Sequence, residues 1–155
     1  MPTPNARLVA KTAEDTARWL PVAMAAYERA RIAAGDTPEM AARAREASET
    51  QFFDDGVVAD GHLLFTVEAD GEEAGWLWIG PMENPANWYV WDVAIDERFQ
   101  RRGLGRWTMQ EAERIAREHG ATALRLNVFA YNTGAIALYE SLGFTPGALH
   151  LQKTL

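Results

Sequence analysis

A chain of 155 residues, 48% hydrophobic and 24% charged, has the composition of one globular domain, spanning 1–155, large enough to bury a core without staples. It contains no cysteine, which excludes disulfides, thiolate metal sites and cysteine nucleophiles. The net charge of −7 argues against a nucleic-acid partner, which would call for a basic face, and suits a soluble body.

Arg7 to Lys11 reads as a first strand. Glu14 to Ala34 reads as a helix, because Trp19, Leu20, Ala23, Tyr27 and Ala30 recur at helical spacing. Pro21 falls inside it, so the helix begins near that residue or kinks there. Thr37 with Pro38 and Glu39 marks the start of a second helix running to about Thr50. Gln51 to Gly61 reads as a loop. His62 to Ala69 and Glu73 to Gly80 read as two strands joined by an Asp70–Gly71 hairpin turn. Trp88 to Ile95 is an aromatic and branched strand.

A helix follows from Arg106 to His119, then a strand from Ala123 to Phe129. A helix from Thr133 to Leu142 is capped by Asn132 or Thr133 and stopped by Gly143. Phe144 and Leu149 to Leu155 supply a last strand. The order is βααβββαβαβ, an α/β (α+β) fold. The strands at Trp88 and Ala123, joined through a helix, are expected to be parallel neighbours in a mixed sheet with helices on both faces. No apolar run approaches the roughly 20 residues that span a bilayer. The first ten residues lack the layout of a secretory signal, so a cytoplasmic location without membrane contact is expected. His62, His119 and His150 show no ligand spacing, so no metal site is expected.

The most informative stretch is Trp88 to Gly105. A strand runs into Gln100, Arg101, Arg102, Gly103, Leu104 and Gly105, and then into a helix. Amides left unpaired at a helix start point outward, and the helix dipole favours negative charge there. Glycines let the backbone approach a phosphate, and Arg101, Arg102 and Arg106 add positive charge. Taken alone, the stretch reads as a cradle for a phosphorylated ligand.

The chain resembles the GNAT superfamily of acyl-CoA-dependent N-acetyltransferases in two blocks. One is the loop Gln100-Arg101-Arg102-Gly103-Leu104-Gly105. The other comprises Asn132, Ala135, Leu138, Tyr139, Gly143 and Phe144. The two lie in family order, separated by a helix and a strand, and with the strand before the loop they cover about residues 88–155. The resemblance implies a GNAT-like mixed sheet of six or seven strands, with acetyl-CoA as co-substrate and an amine as acceptor. The pyrophosphate is then expected on the amides of Arg101, Arg102, Gly103, Leu104, Gly105 and Arg106. The pantetheine arm is expected along Val93, Ala94 and Ile95, with Asn132 and Tyr139 contacting it from the other side. This requires the Trp88 and Ala123 strands to splay apart, which the family achieves with a bulge.

The same resemblance implies catalytic roles. An amide near Val93 polarises the thioester carbonyl, and Tyr139 is the general acid for the leaving thiolate. Without the resemblance, Tyr139 reads as a helix residue packing into the core. Ribosomal-protein N-acetyltransferases of this superfamily keep a Glu where this chain has Asn127, and an amide cannot take up a proton at neutral pH. Asp92 and Glu83 remain as bases. Asp92 sits inside an apolar strand, so it is paired or faces a wet cavity. It is either the base, directly or through a water, or a structural Asp bonded to a neighbouring loop. His62 is an outside candidate, expected to open a strand at the surface.

Trp76, Trp78, Trp88, Tyr89 and Trp91 form an aromatic wall that stacks a cationic amine or fills the core, core being expected for at least three of them. Only 12 residues follow Gly143. They fit a single strand, which implies an acceptor site that is open on that side or completed by a second subunit in a homodimer. The resemblance implies a small-molecule amine or a protein N-terminus or lysine as acceptor. A non-catalytic acyl-CoA sensor is the reading of another class.

Overall fold

In the computed structural model, which describes residues 4–155, strand β1 (Ala6–Ala10) leads into helix α1 (Ala13–Ala33). The start of α1 is fixed by a reciprocal cap. The Thr12 hydroxyl accepts from the Asp15 amide at 3.1 Å, and the Asp15 carboxylate accepts from the Thr12 amide at 3.1 Å. The helix therefore begins well before Pro21 and runs through it, with the ring on the exposed side. Burial of Trp19, Ala23 and Met24 around that position outweighs the backbone bond that proline removes.

Helix α2 (Pro38–Phe52) starts at Thr37, whose hydroxyl accepts from the Met40 amide, with Pro38 in the first turn. The expected loop after it contains a small hairpin, β2 (Phe53–Asp54) and β3 (Val57–Val58). Asp55 and Gly56, at φ 48° and 76°, make its two-residue turn.

The remaining elements are β4 (Leu63–Ala69), β5 (Glu72–Pro81), β6 (Asn87–Ile95), α3 (Leu104–Glu118), β7 (Ala123–Arg125) and α4 (Thr133–Ser141). The main sheet has the order β1-β4-β5-β6-β7, antiparallel except for the parallel β6–β7 pair. The pleat divides two apolar clusters. Leu64 and Trp78 pack with Trp19, Ala23 and Met24 of α1 on one face. Val67, Leu77, Ile79, Trp88 and Val90 pack with Leu104, Met109, Ala112, Ile115 and Ala116 of α3 on the other. Helices thus cover both faces.

Among the described residues the main sheet has five strands rather than six or seven. Two expectations fail for related reasons. The strand at Ala123 ends at Arg125, because β6 no longer runs beside it beyond that point. Phe144 and residues 145–155 likewise form no strand, because the three-residue β7 offers too short an edge to pair along. Leu149 and Leu151 stand 78% and 85% exposed. The tail instead crosses toward the end of α1, where the Gln152 side-chain amide donates to the Ala34 carbonyl at 2.9 Å. Among the described residues, no helix is long and apolar enough to cross a membrane.

Leu77 is fully buried between β4, β6 and α3. Leu77→Ala is expected to destabilise the protein by about 2–5 kcal/mol, read from the urea midpoint at unchanged slope.

Candidate active site

The site is organised by one irregularity in β6. Trp78 pairs with Asp92 and Ile79 with Val90, so Trp91 has no opposite residue on β5. This is a β-bulge, and it bends the strand that carries it. Parallel pairing with β7 covers only Asn87, Trp88 and Tyr89. From Val90 to Ile95 that edge of β6 is unpaired, as the pantetheine reading requires.

The register decides which backbone groups face the opening. The Asp96 amide donates to the Ala74 carbonyl, so Ala94 and Asp92 direct their backbone groups toward β5. The alternate residues, Val93 and Ile95, direct theirs away from β5. The Ile95 carbonyl receives the Gln100 side-chain amide at 2.9 Å, which ties the following loop to the end of the strand.

That loop is built as a cradle. Arg101 and Gly103 both have positive φ, 64° and 78°. Gly103 is the N-terminal cap of α3, in left-handed conformation and with no side-chain cap. The first helical bond is Trp107 N–H to the Gly103 carbonyl, so the preceding amides of Leu104, Gly105 and Arg106 have no partner within the helix. A Cβ on Gly103 would meet nothing within 4 Å, whereas one on Gly105 would lie 3.3 Å from Leu138 of α4. Gly103 thus borders open space, and Gly105 lets α4 pack close.

The three arginines are placed differently. Arg101 is exposed beside the loop. Arg102 turns back to Asp70 at 3.1 Å and lies over the Phe99 ring, bracing the loop against the β4–β5 turn. Arg106 donates to the Ser141 hydroxyl at 2.6 Å, which joins α3 to α4. Asp70 and Ser141 carry no local signal of these roles, since they lie 32 and 35 residues from their partners.

Asp92 follows the bulge. Its Oδ2 accepts from the Trp76 indole N–H at 2.9 Å. Burial pushes its carboxyl up to about 6, opposed by the hydrogen bond from Trp76 and by the nearby Val93 amide. Tyr139 of α4 is half-buried, its ring edge-on to Phe144 at 5.8 Å. Burial pushes its hydroxyl up, and the charge of Asp92 adds to the shift, so the two groups sense each other across the opening. Tyr139 is therefore protonated at neutral pH, while Asp92 titrates close to it. Asn132 caps α4, its carbonyl oxygen accepting from the Ala135 amide at 3.3 Å.

Glu83 is exposed in the β5–β6 turn, before the start of β6 and far along the strand from Asp92. Asn127 is exposed after β7. His62 is not a surface residue opening a strand. It is half-buried, stacked on Trp91 at 5.5 Å, and its Nδ1 accepts from the Trp78 indole at 3.0 Å. That bond requires an unprotonated Nδ1, and burial lowers the ring's pKa further, so His62 is neutral. The aromatic wall is split by the pleat. Trp88 is buried on the α3 side, Trp78 is buried on the α1 side, and Trp76, Tyr89 and Trp91 are half-buried. Only two of the five are fully core.

These features can hold a phosphorylated ligand at a helix start, pair an extended chain with Val93 and Ile95, and bring a base and an acid to its end. The model of the Acetyltransferase (GNAT) family matches residues 22–144. An uncharacterized N-acetyltransferase of Bacillus subtilis, YdgE, is 31% identical over 63% of this chain and 64% of its own length. The [Ribosomal protein bS18]-alanine N-acetyltransferase of Salmonella typhimurium is 35% identical over 72% of each chain. The crystal structure of Bacillus subtilis YycN superposes with a TM-score of 0.87 at 25% identity, covering 97% of this chain and 99% of that one. The chain belongs to the GNAT family of acetyltransferases.

Proposed function

We propose that the protein transfers the acetyl group of acetyl-CoA to the primary amine of a small molecule by direct attack. The observation that carries this reading is the unpaired edge of β6, which ends on an uncapped helix start with open space at Gly103. The extended edge suits a pantetheine arm, and the helix start suits a pyrophosphate.

Acetyl-CoA supplies a reactive acetyl thioester. The backbone groups of Val93 and Ile95 hold the arm, with Ala94 between them facing β5. The amides from Arg101 to Arg106 hold the phosphates, Arg101 adds charge, and Arg102 keeps the loop in place through Asp70. Asn132 offers its side-chain NH2 group, since its carbonyl is committed to the α4 cap. The Val93 amide donates toward the thioester carbonyl oxygen. Asp92 takes the proton that the attacking amine loses, directly or through a water. Tyr139 gives its hydroxyl proton to the departing sulfur, so that one proton is taken up and one delivered.

A second reading of the acceptor, the amine of a protein N-terminus, is favoured by the likeness to an enzyme named for an alanine of a ribosomal protein. Thiol release from acetyl-CoA over a panel of small amines and alanine-led peptides separates the two. Binding of acetyl-CoA without release by any amine would instead favour a sensor, and absence of binding would overturn the reading.

Tyr139→Phe is expected to slow turnover about 100-fold, at the low end for general acids because a thiolate leaves readily, with CoA affinity unchanged by calorimetry. Gly103→Val is expected to abolish CoA binding, because a branched side chain would enter the open space at the loop. Circular dichroism should show the fold retained despite the strain of a left-handed valine.

Asp92 links activity to stability. Its folded-state value of about 6 lies above the ordinary 3.8. The stability it contributes is therefore complete below about pH 4 and is lost as pH rises through 6. Asp92→Asn is expected to be more stable than the parent at pH 8 by on the order of 3 kcal/mol, with the gap closing below pH 4 in paired urea melts. The same variant should lose turnover, along with the limb near pH 6 in kcat/KM.

A further inference from the structure

The proposed base does not stand alone on its strand. We propose that Trp76 is a positioning residue for the reaction, its indole N–H fixing Asp92 through Oδ2 and leaving the other carboxylate oxygen for the proton of the acceptor amine. This rests on the reading of Asp92 as the base.

Trp76 lies on β5 opposite Ala94, two pairs along from the Trp78–Asp92 pair that borders the bulge. Its indole therefore crosses diagonally to Asp92, a reach that long aromatic side chains make on one face of a sheet. The ring is fixed from the other side by Trp19 of α1, edge-on at 6.5 Å. The donor is thus held by packing and does not have to be ordered when substrate arrives. Among the described residues, this is the one side-chain hydrogen bond to the Asp92 carboxylate.

The position of the indole adds a second effect. It lines a cavity of about 190 Å³ together with Lys11, Asp15, Arg18 and Glu73. The ring thus borders both Asp92 and a cavity that carries four charged groups. On the opposite side the titratable neighbour is Tyr139 of α4, which senses the Asp92 charge. His62 lies beyond Trp91 and is neutral. A neutral donor favours the carboxylate without neutralising it, so it stabilises the ionised base while leaving it able to accept a proton.

The test follows Asp92 itself and needs no knowledge of the acceptor. Side-chain ¹³C-carboxyl resonances of labelled aspartates are titrated in the full-length protein, with Asp92 assigned by its loss in Asp92→Asn. The parent is expected to titrate near pH 6. Trp76→Phe should raise that midpoint by about one unit, which leaves roughly tenfold less ionised carboxylate on the acid side of the titration. Replacing Trp76 with 3-benzothienylalanine, which keeps the ring shape and removes the N–H, should give the same rise and serves where the phenylalanine variant fails to fold. An unmoved or lowered midpoint in the 3-benzothienylalanine protein overturns the proposal. The base reading is judged separately, and it fails if Asp92→Asn keeps the parent's rate of thiol release in the amine panel.

Discussion

The absence of a β5 partner for Trp91 is the constraint on which the rest of the site depends. A regular β6 would continue its ladder with β7 through Ile95, and the amides of Val93 and Ile95 would be spent on sheet bonds. The bulge releases that edge after three paired residues. It also sets Trp91 and Asp92 on the side of the sheet covered by α1, where Trp91 stacks on His62 and Asp92 reaches Trp76. Unpaired backbone groups are costly when buried, so the opening persists only because it faces solvent or a ligand able to complete it. One local defect thus supplies both the groove and the placement of Asp92 beside it.

The surroundings hold that defect in place. Gln100 fastens the end of β6 to the loop, Arg102 fastens the loop to the β4–β5 turn, and Arg106 fastens α3 to α4. Such exposed contacts contribute little to global stability individually. Their value lies in fixing the loop relative to two rigid elements. The apolar seam of α3 against Leu77, Ile79 and Trp88 carries the burial energy. The buried carboxyl of Asp92 opposes it, and a fold with a larger apolar core tolerates that cost at one position.

Legibility in the sequence tracked how local each feature is. The helix start at Thr37, the hairpin at Asp70–Gly71 and the loop from Gln100 to Gly105 are each encoded within a few residues and could be read directly, whereas the Thr12 cap of α1 was masked by Pro21. The parallel β6–β7 pair followed from the helix between them. The bulge could not be read from residues, since Trp91 looks like any other member of an aromatic strand and its lack of a partner is a property of β5. The same holds for the Trp76–Asp92 and Arg102–Asp70 contacts, which join residues 16 and 32 apart. His62 was misplaced for a related reason. Its burial comes from Phe52 and Trp91, which reach it only after α2 and β6 have docked.

This division also separates the two halves of the site. On the proposed reading the donor half is a loop and a strand edge whose chemistry is mostly backbone amide, so a few glycines and one helix start specify it. The acceptor half is bounded by side chains from α1, β5, β6 and α4, brought together only by the completed fold. The unpaired tail, with Leu149 and Leu151 exposed, leaves the side beyond β7 without a covering strand. A backbone-built donor site tolerates wide sequence change, because most substitutions keep its amides in place. A side-chain-built acceptor site changes with each residue that lines it. Members of one family can therefore share a recognisable loop while differing in the amine they take, and on the proposed reading the groups that discriminate here are Asp92 and the aromatic side chains around it.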